Sequence, residues 1–94
     1  MDIKKRAKII AALVEAGYEK AVMTDWGREG DLALNCEVWC GDEVGTAGDY
    51  YGWEDPWMKD ILDDFGVKLD IVKILDKFKA YTEWHNPAVF MVVA

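Results

Sequence analysis

The stretch Tyr81-Thr82-Glu83-Trp84-His85-Asn86-Pro87-Ala88-Val89-Phe90-Met91-Val92-Val93 decides the fold class. Its first residues alternate with a period of two, His85-Asn86-Pro87 is turn-like, and residues 88–93 are a continuous apolar run typical of a strand buried on both sides. The segment therefore predicts two strands, with Trp84 and the run 89–93 at the centre of the core.

Immediately before it, Leu69, Val72, Leu75 and Phe78, flanked by Ile71 and Ile74, repeat at helical spacing and predict a helix over 69–79. Asp55-Pro56 is a good helix start, and Trp57, Ile61, Leu62 and Phe65 give one apolar face up to Gly66, so a helix is expected over 56–65. At the other end Asp2 is a candidate N-cap. Ile3, Ala7, Ile10 and Val14, widened by Ile9 and Leu13, predict an amphipathic helix closed by Gly17. Between these helices, residues 20–25 and 32–40 read as a hairpin, and Tyr50-Tyr51-Gly52-Trp53 as a third strand. The whole predicts an α+β domain covering 1–94, a small antiparallel sheet of four to five strands with two to three helices mainly on one face.

The 94 residues suit one hydrophobic core, since a single domain commonly runs to about 100–150 residues. Five Trp, four Tyr and three Phe supply large buried groups, and an apolar share of 52% excludes the disordered class. No stretch approaches the roughly 20 apolar residues of a membrane span, and no apolar signal core follows Met1-Asp2-Ile3-Lys4-Lys5-Arg6. A cytoplasmic location is expected. Cys36 and Cys40, four apart on a strand, would lie roughly 13 Å from each other, beyond disulfide reach, and are expected to be reduced.

Catalytic chemistry finds little support. The chain has no serine, and its only histidine, His85, sits beside a proline in turn-like sequence. Two cysteines without a close C-x₂-C pair do not make a zinc site. Asp25, Glu29 and Gly30 fall on EF-hand positions, but Gly27 and Cys36 stand where carboxylates are required. Gly45-Thr46-Ala47-Gly48 lacks phosphate-loop spacing and is flanked by acids. Neither an enzyme nor a cofactor or metal is expected.

Charge is more informative. The net charge is −7, four of eleven basic residues (Lys4, Lys5, Arg6, Lys8) lie in the first eight positions, and residues 25–64 hold twelve acidic residues against Arg28 and Lys59. Such a field repels nucleic acid and anionic lipid and attracts basic protein surfaces. Within it, aromatic and acidic residues coincide at Asp42, Glu43, Asp49, Tyr50, Tyr51, Trp53, Glu54, Asp55, Asp60, Asp63 and Asp64, the candidate protein-binding residues. Tyr and Trp are common interface anchors, and rim carboxylates steer a basic partner. The competing reading places Trp53, Trp57 and one tyrosine in the core, with the acids as ordinary solubility.

In size, acidity and want of catalytic residues the chain resembles small phage-encoded anti-CRISPR proteins and, on the same grounds, bacterial immunity proteins that neutralise basic nuclease toxins. Its ending Lys79-Ala80-Tyr81-Thr82-Glu83-Trp84-His85-Asn86-Pro87-Ala88-Val89 resembles the helix-to-hairpin ending of small phage-type proteins. The resemblance implies a non-catalytic inhibitor that occupies a basic, nucleic-acid-binding surface of a nuclease or CRISPR effector. An oligomerising accessory domain is the alternative.

Overall fold

The two predicted C-terminal strands form, as β3 (Tyr81–Asn86) and β4 (Val89–Val93), preceded in the chain by α1 (Ile3–Glu15), β1 (Val22–Met23), β2 (Leu32–Asn35) and α2 (Leu69–Asp76). The computed structural model describes residues 1–25, 30–38, 47–54 and 56–94, with Trp53 and Trp57 described by their backbone only. The four strands make one antiparallel sheet in the order β1-β2-β4-β3, so the most apolar strand is an interior one. This is the expected α+β fold.

Strand register separates the two faces of the sheet. Leu34, Phe90 and Trp84 stand side by side across β2, β4 and β3, and Leu32, Val92 and Thr82 form the next row. Leu32, Leu34, Phe90 and Val92 join Ile9 and Leu13 of α1 and Ile71 and Leu75 of α2 in one buried cluster, so both helices cover the same face. Burying each such side chain is worth about 1.5–3 kcal/mol. The opposite face carries the row Met23, Ala33, Met91 and Glu83.

Several sequence expectations are corrected. The second strand ends at Asn35 instead of 40, because the Asn35 side chain accepts from the Glu37 amide (2.8 Å) while the Cys36 amide donates to the Ala88 carbonyl (2.7 Å). An Asx turn of this kind competes with the ladder. Tyr50 to Trp53 is no strand: a turn at Tyr50 and Tyr51 leads into a short 3₁₀ turn, Gly52–Glu54. The helix expected over 56–65 is a 3₁₀ segment, Pro56–Asp60, and the chain then reverses. Asp63 causes the reversal by accepting from the amides of Phe65 and Val67 (2.9 Å each) while its own amide donates to the Val67 carbonyl (2.8 Å). Trp84 lies at the edge of the core instead of its centre, which Phe90 occupies. His85 belongs to β3, where a register shift between Trp84 and Asn86 leaves it exposed.

The stripe on α1 is also rotated from its expected position. Asp2 caps the helix by accepting from the Lys4 amide, but Ile3 is 78% exposed and the buried pair is Ile9 and Leu13. One turn before Ile9, Arg6 donates from Nε and Nη2 to the Asp31 carbonyl (3.1 and 3.0 Å), and Nη2 also reaches the Thr24 carbonyl. Thr24 follows β1 and Asp31 precedes β2, so the guanidinium clasps both ends of their connection. Arg6→Ala is expected to cost about 1–3 kcal/mol, or roughly 5–20 °C in Tm, because charge-assisted hydrogen bonds to backbone are lost. Replacing Lys4 and Lys8 by Gln should leave Tm within about 2 °C, since exposed side chains away from such contacts change stability little. Thermal unfolding followed by circular dichroism compares the two variants directly.

Candidate functional site

Two reversals of the chain, at residues 47–54 and 61–68, are laced together beside the β3 edge of the sheet. Gly48 pairs with Val67 in an isolated antiparallel bridge, the Asp49 amide donates to the Gly66 carbonyl (2.7 Å), and the Lys68 amide donates to the Ala47 carbonyl (3.1 Å). The approach requires glycine at 66. Its φ is +87°, and a Cβ there would overlap the Asp49 carbonyl oxygen. Asp49 shapes the first reversal in turn, its Oδ1 accepting from the Tyr51 amide (3.0 Å) and its carbonyl from the Gly52 amide (2.9 Å).

This lacing brings Tyr50, Tyr51, Phe65 and Trp84 around an open groove of about 570 Å³, whose remaining lining is Glu54 and Asp64. The rings meet edge-on. Tyr50 lies 5.0 Å from Tyr51 at an interplanar angle of 83° and 5.2 Å from Trp84 at 88°, and Trp84 lies 5.3 Å from Phe90 at 75°. Each T-shaped contact adds about 0.5–1.5 kcal/mol beyond area burial. The series runs from the surface to the fully buried Phe90, so the groove is braced against the core. Trp84 Nε1 also donates to the Phe65 carbonyl (2.7 Å), fixing the base of the second reversal to β3. Phe65 itself remains 72% exposed, Tyr51 56% and Tyr50 37%.

The candidate residues thus divide by role. Tyr50, Tyr51, Glu54 and Asp64 line the groove, and Asp60 is exposed near the end of the second 3₁₀ segment. Asp49 and Asp63 are half-buried turn formers, each with an oxygen occupied by backbone amides. Asp42, Glu43, Asp55 and the Trp53 side chain lie outside the described residues, as do Cys40 and residues 26–29 of the stretch with EF-hand-like spacing. Two groove residues were not foreseen. The apolar repeat puts Phe65 on a helix face, although Asp63-Asp64-Phe65-Gly66 is itself turn chemistry that exposes it. Trp84, expected at the centre of the core, is half-buried at its edge.

Elsewhere, a concavity of about 350 Å³ includes Tyr18, Asp60, Lys68, Asp70 and Lys73. It is a structural tie in large part: the buried Tyr18 hydroxyl donates to the Asp70 carboxylate at 2.7 Å, and the buried Lys68 Nζ stands 5.5 Å from the centre of the Tyr18 ring. Among the described residues no group of three or more His, Cys, Asp or Glu is arranged to hold a metal ion, and no helix is long and apolar enough to cross a membrane. Comparison with known proteins found no matching family model, no matching curated protein and no matching solved structure.

Proposed function

We propose that this chain is a non-catalytic binding domain that docks on a basic protein surface, with Tyr50, Tyr51 and Phe65 as apolar contacts, Glu54 and Asp64 as the charges lining their groove, and Asp60 as an exposed carboxylate outside it that adds to the steering field. The observation that carries this reading is the joint exposure of three large aromatic residues in acidic surroundings on a braced scaffold. Exposed aromatic rings forgo the stabilisation that burial would give, and a rim of one charge sign steers partners of the other. A strongly basic protein surface is commonly one that holds nucleic acid. The partner class is therefore a nuclease or CRISPR effector, and the role that of a phage-type inhibitor of the anti-CRISPR kind. An immunity-type protein against a basic nuclease toxin would use the same surface and differ only in its partner.

Association kinetics against a panel of purified basic nucleases, CRISPR effector complexes and toxin nuclease domains among them, test the proposal. Replacing Glu54, Asp60 and Asp64 by Lys should slow association about tenfold or more at low salt, with little difference at high salt and an unchanged circular-dichroism spectrum. Neutralising Lys4, Lys5 and Lys8 should leave the rate alone. The opposite pattern, in which the lysines control binding and the acids do not, would place the contact on α1 and discard this proposal.

A further inference from the structure

We infer that the groove between Tyr50, Tyr51, Phe65 and Trp84 seats a single arginine side chain of the partner, an assignment that rests on the basic-partner reading and specifies its anchor. Two observations converge on a planar cation. The described ring pairs around the groove are edge-on, so none of these rings lies flat upon another. Electron-rich ring faces attract cations within about 6 Å, tryptophan and tyrosine most strongly. Two carboxylates, Glu54 and Asp64, line the same groove, and neither has an intramolecular side-chain partner among the described residues. Guanidinium can stack on a ring and donate in its own plane to a carboxylate, whereas ammonium is a compact, strongly hydrated charge that cannot stack. An uncharged apolar occupant would bury against the rings but leave two carboxylates beside it without compensation.

The groove is also held ready for such a ligand. Trp84 is gripped between Tyr50 and Phe90 and hydrogen-bonded to Phe65, so little ordering remains to be done on binding. Phe65 lines a second, smaller cavity of about 270 Å³ together with Asp63, Asp76 and Tyr81, which leaves room for residues flanking the arginine.

The experiment is a titration of the ¹⁵N-labelled chain with N-acetyl-arginine amide, whose only charge is the guanidinium. N-acetyl-citrulline amide serves as the neutral isostere and N-acetyl-lysine amide as the non-planar cation. Saturable shifts in the millimolar range are expected at the amides of Tyr50, Tyr51 and Phe65 and at the Trp84 indole N–H, with citrulline about tenfold weaker and lysine several-fold weaker. Tyr51→Ala, and the double replacement Glu54→Gln with Asp64→Asn, should each weaken the arginine probe about fivefold. Equal binding of citrulline or lysine, shifts scattered over acidic residues away from the groove, or no saturable shift would each overturn the arginine assignment. The basic-partner proposal fails separately: if the groove is silent to arginine but the Glu54, Asp60 and Asp64 reversals still slow association, only the anchor is lost.

Discussion

Val92→Asp is expected to abolish cooperative unfolding. Val92 is 4% exposed, on an interior strand between Leu32 of β2 and Thr82 of β3, and its side of the sheet carries both helices. A carboxylate there has no cationic partner in its row and must either remain charged in apolar surroundings or take up a proton at a cost. Either outcome costs several kcal/mol, and the apolar contacts of valine are lost as well, against a total stability of about 5–14 kcal/mol for a chain of this length. Urea titration followed by near-ultraviolet circular dichroism should show no sigmoidal transition. The adjacent replacement Met91→Lys provides the contrast. Met91 is half-buried on the opposite face with Glu83 as its cross-strand neighbour, so a cation there gains a paired charge and should change stability by less than about 1 kcal/mol. A cooperatively unfolding Val92→Asp protein would show that the helix-facing side of β4 is not the core.

The second large effect is expected at the groove. Gly66→Ala should lower Tm by about 10 °C or more and collapse the dispersion of the Tyr50, Tyr51 and Phe65 amide signals. Two costs combine: a side chain at φ +87° is strained, and its Cβ meets the Asp49 carbonyl that turns the opposite loop. Together they amount to roughly 2–4 kcal/mol, which for a domain of this size is about 10–25 °C. Gly17→Ala separates the two causes. Its φ is +99°, but a Cβ there would meet nothing within 4 Å, so only the backbone strain applies and the loss should be about half as large or less. Equal losses at both positions would mean that the close approach of the two reversals contributes nothing.

The parts of the fold that were legible in the sequence are those set by local chemistry. Asp2 caps α1, Gly17 closes it, the apolar repeat from Leu69 makes α2, and the change of period after it makes the terminal strands. What was not legible depended on competition between local options. Trp57, Ile61, Leu62 and Phe65 fit a helical repeat, yet the Asp63 carboxylate offers the amides of Phe65 and Val67 a different acceptor and turns the chain out of the helix. Periodicity could not register that choice, because helix and turn draw on the same residues. The groove was half legible. Tyr50, Tyr51, Glu54 and Asp64 stand out as an acidic aromatic stretch, but Trp84 comes to them from a strand distant in sequence, through contacts that exist only once the sheet has formed. Arg6 was hidden for the same reason, since its acceptors, the carbonyls of Thr24 and Asp31, belong to another element.

The place of β4 between β2 and β3 has a consequence for how quickly the molecule can assemble. β3 and β4 are joined by a short turn and can pair early, but β2 lies in the first half of the chain, and its pairing with β4 must close the loop that contains both laced reversals and α2. Loop closure of that length is entropically unfavourable until the β2–β4 pairing and the helix packing repay it together. The rate-limiting event in folding should thus be the docking of the C-terminal hairpin onto β2. The groove draws Trp84 from that hairpin and its tyrosines from the enclosed loop, so its ring contacts require the loop to fold back onto β3.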